Sequence, residues 1–99
     1  MTALLQNAAY TPSTQDPVRV MIVDDSAVIR GFLTRFIEED PSLKVISSVG
    51  NGQLALSALQ RTPVDVVVLD IEMPVMDGLT ALPLILKENP GLQVIIAST

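Results

Sequence analysis

The chain has no cysteine and no histidine among its 99 residues. The first absence excludes disulfides and thiolate metal sites, and the second removes the commonest general base and zinc ligand. Any bound metal must therefore be held by oxygen. Aromatic side chains are scarce as well, with one Tyr, two Phe and no Trp, so the core has to be assembled from Val, Ile, Leu, Ala and Met. Basic residues are the minority, six against eleven acidic ones, for a net charge of -5. That balance argues against gripping a phosphate backbone, and nucleic acid is not an expected partner. No apolar run approaches the ~20 residues that cross a bilayer. Residues 1–17 have Asp16 as their only charged side chain and lack the positive start of a secretory leader. The expectation is a flexible tail over 1–17 and one domain over 18–99, in a cytoplasmic protein with no membrane partner.

What the chain does have is aliphatic residues in short runs, each ending in turn chemistry. A hydrophobic share of 48% suits a parallel sheet covered by helices. Val18 to Val23 reads as a strand ending on Asp24-Asp25, with Ser26 placed to cap a helix. Val28/Ile29, Phe32/Leu33 and Phe36/Ile37 then recur every four residues as one stripe of a helix that stops near Asp40-Pro41. Leu43 to Val49 is a second, half-exposed strand, Gly50-Asn51-Gly52 a turn, and Gln53 to Gln60 a short helix. Val66 to Leu69 is an unbroken aliphatic strand that ends in Asp70 and is closed by Pro74 and Gly78. Leu79 to Asn89 is helical, either starting near Leu82 or kinked at Pro83, because an internal proline removes a backbone bond. Leu92 to Ala97 is a fourth strand, which stops on Ser98-Thr99. Strands alternating with helices imply right-handed crossovers and helices on both faces of the sheet.

If the first and third strands are neighbours, Asp24, Asp25 and Asp70 meet at one carboxyl-end crevice, where open α/β sheets bind ligands. Any single aspartate at a strand end is most simply a cap or a turn residue. Three together repel one another and raise one another's pKa unless a cation joins them, and oxygen ligation alone points to Mg²⁺ or Mn²⁺. A carboxylate beside such an ion can attack phosphorus to give an aspartyl phosphate. Asp70 stands alone and is the better nucleophile, whereas Asp24 and Asp25 suit the metal. Ser98 can place a hydroxyl on the same rim.

Val20-Met21-Ile22-Val23-Asp24-Asp25-Ser26 and Leu69-Asp70-Ile71-Glu72-Met73-Pro74-Val75-Met76-Asp77-Gly78 resemble the first strand and the phosphorylation segment of bacterial response-regulator receiver domains. The wording is most similar to receivers of the chemotaxis protein-glutamate methylesterases. The resemblance covers residues 18–99 and implies a flavodoxin-like doubly wound parallel sheet in the order 2-1-3-4, lacking the family's last helix-strand-helix portion. It implies phosphorylation of Asp70, Mg²⁺ held directly by Asp25, Asp70 and the backbone carbonyl of Glu72 and through water by Asp24, and Ser98 as the switch hydroxyl. It also implies a phosphohistidine on a sensor histidine kinase as donor, and a tethered methylesterase domain in a parent protein.

The family's lysine before a fifth strand has no counterpart at Lys44 or Lys87, and no Gly-x-Ser-x-Gly occurs here. The chain is thus expected to be a regulatory domain and not itself an esterase, impaired in phosphorylation without that lysine, and to self-associate through an open fourth strand. Two alternatives remain. An aspartate-nucleophile phosphatase would favour Asp-x-Asp where this chain has Asp70-Ile71-Glu72. A metal-free interaction fragment would use none of the acids.

Overall fold

The structure is a computed structural model and describes residues 16–97. The elements run β1 (Val18–Val23), α1 (Ala27–Ile37), β2 (Leu43–Val49), α2 (Gly52–Leu59), β3 (Val66–Asp70), α3 (Gly78–Glu88) and β4 (Gln93–Ala97). The strands form one parallel sheet in the order β2-β1-β3-β4. This is the flavodoxin-like arrangement expected for the described part of the chain. Apart from Asp16 and Pro17, the expected tail lies outside the described residues.

The aliphatic runs work because each central strand serves two cores. Val18, Val20 and Ile22 of β1 pack with Val66 and Val68 of β3 and with Ile37 of α1. On the other face, Met21 and Val23 join Val67 and Leu69, covered by Ala55 and Ala58 of α2 and by Ala81 and Ile85 of α3. Successive residues of a strand point to opposite faces, so a strand buried on both sides needs an apolar residue at every position. That is the unbroken run seen at Val66–Leu69.

Three local features differ from the pattern in the sequence. The α1 stripe meets the sheet along one edge only. Ile37 is buried and Leu33 half-buried, while Val28, Phe32 and Phe36 are 80%, 58% and 58% exposed. Phe32 and Phe36 instead stack on each other, with ring centroids 6.4 Å apart. In α3 the helix starts before Pro83 and runs through it. The Asp77 carboxylate accepts the Thr80 N–H at 2.8 Å, and the Ala81 N–H reaches the Asp77 carbonyl at 2.9 Å, so the start at Leu82 is excluded. Between β1 and β2 the register slips, Val20 facing Val45 and Met21 facing Ser47. A carboxylate oxygen of Glu38, just past α1, accepts the Val45 N–H at 2.9 Å beside this bulge.

Candidate phosphoryl-acceptor site

The register of β1 on β3 sets Val23 opposite Leu69, so the residues that follow, Asp24 just past β1 and Asp70 at the end of β3, stand side by side at the carboxyl edge of the sheet. Each is 9% exposed, whereas Asp25 is exposed. One carboxylate oxygen from each of the three lies within 4.8 Å of the others. The three acids singled out in the sequence are therefore brought together.

Asp24 is tied down at several atoms. Its N–H donates to the Val49 carbonyl at 3.1 Å, joining the acid pair to the end of β2. Its carboxylate accepts the Ser26 N–H at 2.8 Å, an Asx turn that leads into α1, and the Ser26 hydroxyl caps the helix by accepting the Ile29 N–H at 3.2 Å. The Asp24 carbonyl accepts Nη1 of Arg30 at 2.6 Å.

The Asp70 carboxyl is held above its ordinary pKa. Burial is the largest cause, followed by the charge on Asp24, with a smaller push from Asp25. The nearby backbone N–H groups of Glu72 and Ile71 act in the opposite sense. A carboxylate disfavoured by burial and by like charge is stabilised by an arriving cation.

The β3–α3 loop folds back under this carboxylate. The Met76 N–H donates to the Pro74 carbonyl at 2.8 Å across Val75, whose φ is 70°. This is a γ-turn of the positive-φ kind, rare for any residue and strained for a β-branched one. The Gly78 N–H then donates to the Ile71 carbonyl at 2.8 Å, and the Gly52 N–H to the Met76 carbonyl at 3.1 Å. A Cβ at Gly78 would run into the Asp70 carbonyl oxygen and sit 2.9 Å from Ile71 Cα. Gly78 is therefore more than a turn former, because its bare Cα lets the start of α3 lie on the backbone of Asp70.

Glu72 is exposed two residues past Asp70, and its nearby N–H favours the ionised Asp70 carboxylate. Ser98 lies outside the described residues. Arg30 escaped the reading of the sequence, although its spacing carries a signal: it follows Ser26 by four residues and so stands one helical turn along the face that begins at the acids.

The profile of the response regulator receiver domain matches residues 20–99. The chain belongs to that family. Among curated proteins, this receiver is 65% identical over 83 residues to protein-glutamate methylesterase/protein-glutamine glutaminase 1 of Rhodospirillum rubrum, covering 84% of the chain and 21% of the relative. It is 64% identical over 84 residues to the corresponding Azospirillum brasilense protein, covering 85% and 21%. The receiver thus spans about a fifth of the length of these relatives. Among solved structures, the response regulator domain of Thermotoga maritima CheB is similar with a TM-score of 0.79 and 39% identity, over 83% of this chain and 60% of that one. A chain of the CheX-CheY-BeF3-Mg+2 complex from Borrelia burgdorferi gives a TM-score of 0.80 and 33% identity, over 86% and 64%.

Proposed function

We propose that this receiver accepts a phosphoryl group on Asp70 from a phosphohistidine of a sensor histidine kinase, and that the modification regulates a methylesterase domain tethered to it in a longer parent protein. The observation that carries this reading is the meeting of three carboxylates around a buried Asp70. A carboxylate oxygen of Asp70 would bond to phosphorus as the phosphorus–nitrogen bond to the donor imidazole breaks, with the imidazole nitrogen taking up a proton.

The donor set fits Mg²⁺, a hard cation served by oxygen alone. Asp25, Asp70 and the Glu72 carbonyl would hold it directly and Asp24 through water. When bound, the ion supplies the positive charge that offsets the phosphoryl oxygens and the crowded acids. In support, the Borrelia burgdorferi relative is described in a complex with BeF3 and Mg. Ser98 is assigned the hydroxyl that turns toward the phosphoryl group.

A cytoplasmic setting goes with a kinase donor, and among the described residues no helix is long and apolar enough to cross a membrane.

The central test is incubation with Mg²⁺ and a small acyl phosphate, read by intact mass. One phosphoryl group should be gained, sensitive to hydroxylamine, and lost both in Asp70→Asn and when Mg²⁺ is withheld. Failure of the unaltered protein to gain mass, under conditions that label another response-regulator receiver, overturns the proposal.

A further inference from the structure

We propose that Arg30 is a positioning residue for the metal site, its guanidinium clamping the Asp24–Asp25 peptide and so fixing the Cα–Cβ direction from which the Asp25 carboxylate reaches the site. This inference rests on the Mg²⁺ reading above and adds to it a residue that is neither ligand nor nucleophile.

The three acids are held in different ways. Asp24 is fixed through its N–H by Val49 and through its carboxylate by Ser26. Asp70 is fixed by its place in β3, where it pairs with Ala97 of β4, and by its burial. The Asp25 carboxylate is different. It is exposed, and among the described residues no hydrogen bond or ion pair restrains it. Where it can reach is therefore set by the peptide from which it hangs, and the carbonyl of that peptide is the one Arg30 grips at 2.6 Å. A short bond from a charged donor is among the stronger hydrogen bonds available.

The clamp is itself anchored. The Arg30 N–H donates to the Ser26 carbonyl at 2.9 Å, and its own carbonyl accepts the Thr34 hydroxyl at 2.8 Å, so the side chain springs from a fixed turn of α1. It passes the β2–α2 loop at Gly50, where an added Cβ would stand 3.5 Å from Nη1. The guanidinium meets a carbonyl and not a carboxylate, which leaves the acid oxygens open to a cation.

Charge and geometry predict opposite signs, and this makes the idea testable. If Arg30 acted only as a nearby positive charge, its removal would tighten Mg²⁺ binding. If it orients Asp25, its removal weakens binding, by about tenfold on the scale seen when groups that orient metal ligands are deleted.

The experiment is a calorimetric Mg²⁺ titration of the unaltered chain, Arg30→Ala and Arg30→Lys, each checked for an intact amide NMR spectrum. Arg30→Ala is expected to lose about tenfold in affinity. Arg30→Lys keeps a charged donor on a long stem and is expected to recover most of that loss. Arg30→Gln, which retains part of the stem, replaces Arg30→Ala if the alanine variant does not fold, with the same weakening expected. Binding in the variant that equals or exceeds that of the unaltered chain overturns the inference alone. An unaltered chain that gives no Mg²⁺ response overturns the metal reading and this inference with it.

Discussion

Replacing Asp70 with Asn should stabilise the metal-free fold at neutral pH, although it removes the residue on which the proposed chemistry depends. The carboxylate oxygens of Asp24, Asp25 and Asp70 lie within 4.8 Å of one another. At that separation two unit charges repel by about 0.9 kcal/mol in bulk water and about 3.5 kcal/mol at an effective dielectric constant near 20. Asp25 is exposed, so its repulsion of Asp70 sits toward the lower figure, while Asp24 is buried and sits toward the higher. Asn keeps the size of the side chain and one of its oxygens, and the net gain expected is about 1–3 kcal/mol. Thermal unfolding in EDTA should report it as a rise of about 4–8 °C per kcal/mol for a domain of this size.

The pH dependence gives a second check on the same variant. Asp70 binds its proton more tightly in the folded chain than at its ordinary value of 3.8. Its ionisation therefore costs the fold stability as pH rises from 3.8 through the raised folded value, and that cost is complete above it. The advantage of the Asp70→Asn variant should be full at neutral pH, shrink through that window and vanish below 3.8. Saturating Mg²⁺ should stabilise the unaltered protein more than the variant. A metal-free Asp70→Asn protein that melts below the unaltered one at neutral pH would refute the electrostatic reasoning.

Other expectations rest on single contacts. Val75→Gly should stabilise the fold by about 1 kcal/mol in urea titrations, because relief of the positive φ outweighs the added freedom of the unfolded chain. Gly78→Ala should destabilise by about 3 kcal/mol or prevent folding, since the new methyl group meets the Asp70 backbone; a loss under about 0.5 kcal/mol in the same titration would show that the loop yields. Arg19 holds Asp65 through a two-point ion pair, with Nε at 3.0 Å and Nη2 at 2.9 Å. Solvent reaches both side chains, so Asp65→Asn should cost only about 1 kcal/mol at neutral pH. The Arg19 side chain is the main cause of the lowered Asp65 pKa. That stabilisation is present above 3.8 and is lost as pH falls through the lowered value, which a pH series of melts on both proteins should display.

Much of this architecture can be read from the residues. Val18–Val23 and Leu43–Val49 form strands with the bounds that their aliphatic and β-branched runs suggest, because such side chains suit a pleated, packed surface. The acid cluster was readable once β1 and β3 were taken as neighbours. What escaped has physical reasons. Periodicity shows that α1 has an apolar face but not which edge of it touches the sheet, so the exposure of Phe32 and Phe36 was hidden. Val75 was hidden because the backbone it adopts is one that its β-branched side chain disfavours, and only the closure of the loop onto Gly52 and Gly78 reveals it. Arg30 acts on a carbonyl, and a backbone acceptor leaves no mark in the side-chain pattern.

The placement of the two acid-bearing strands also bears on how the molecule comes apart. β1 and β3 are the inner strands, each with neighbours on both sides, while β2 and β4 bound the described sheet. Amide hydrogens of inner strands are released only by the largest openings, and those at edges and helix ends by smaller ones. Hydrogen exchange should therefore leave Met21–Val23 and Val67–Leu69 protected after the outer strands and α1 have exchanged. Asp24 and Asp70 are rooted in that slowest layer, so partial openings that loosen the surrounding helices would still keep the two carboxylates in register.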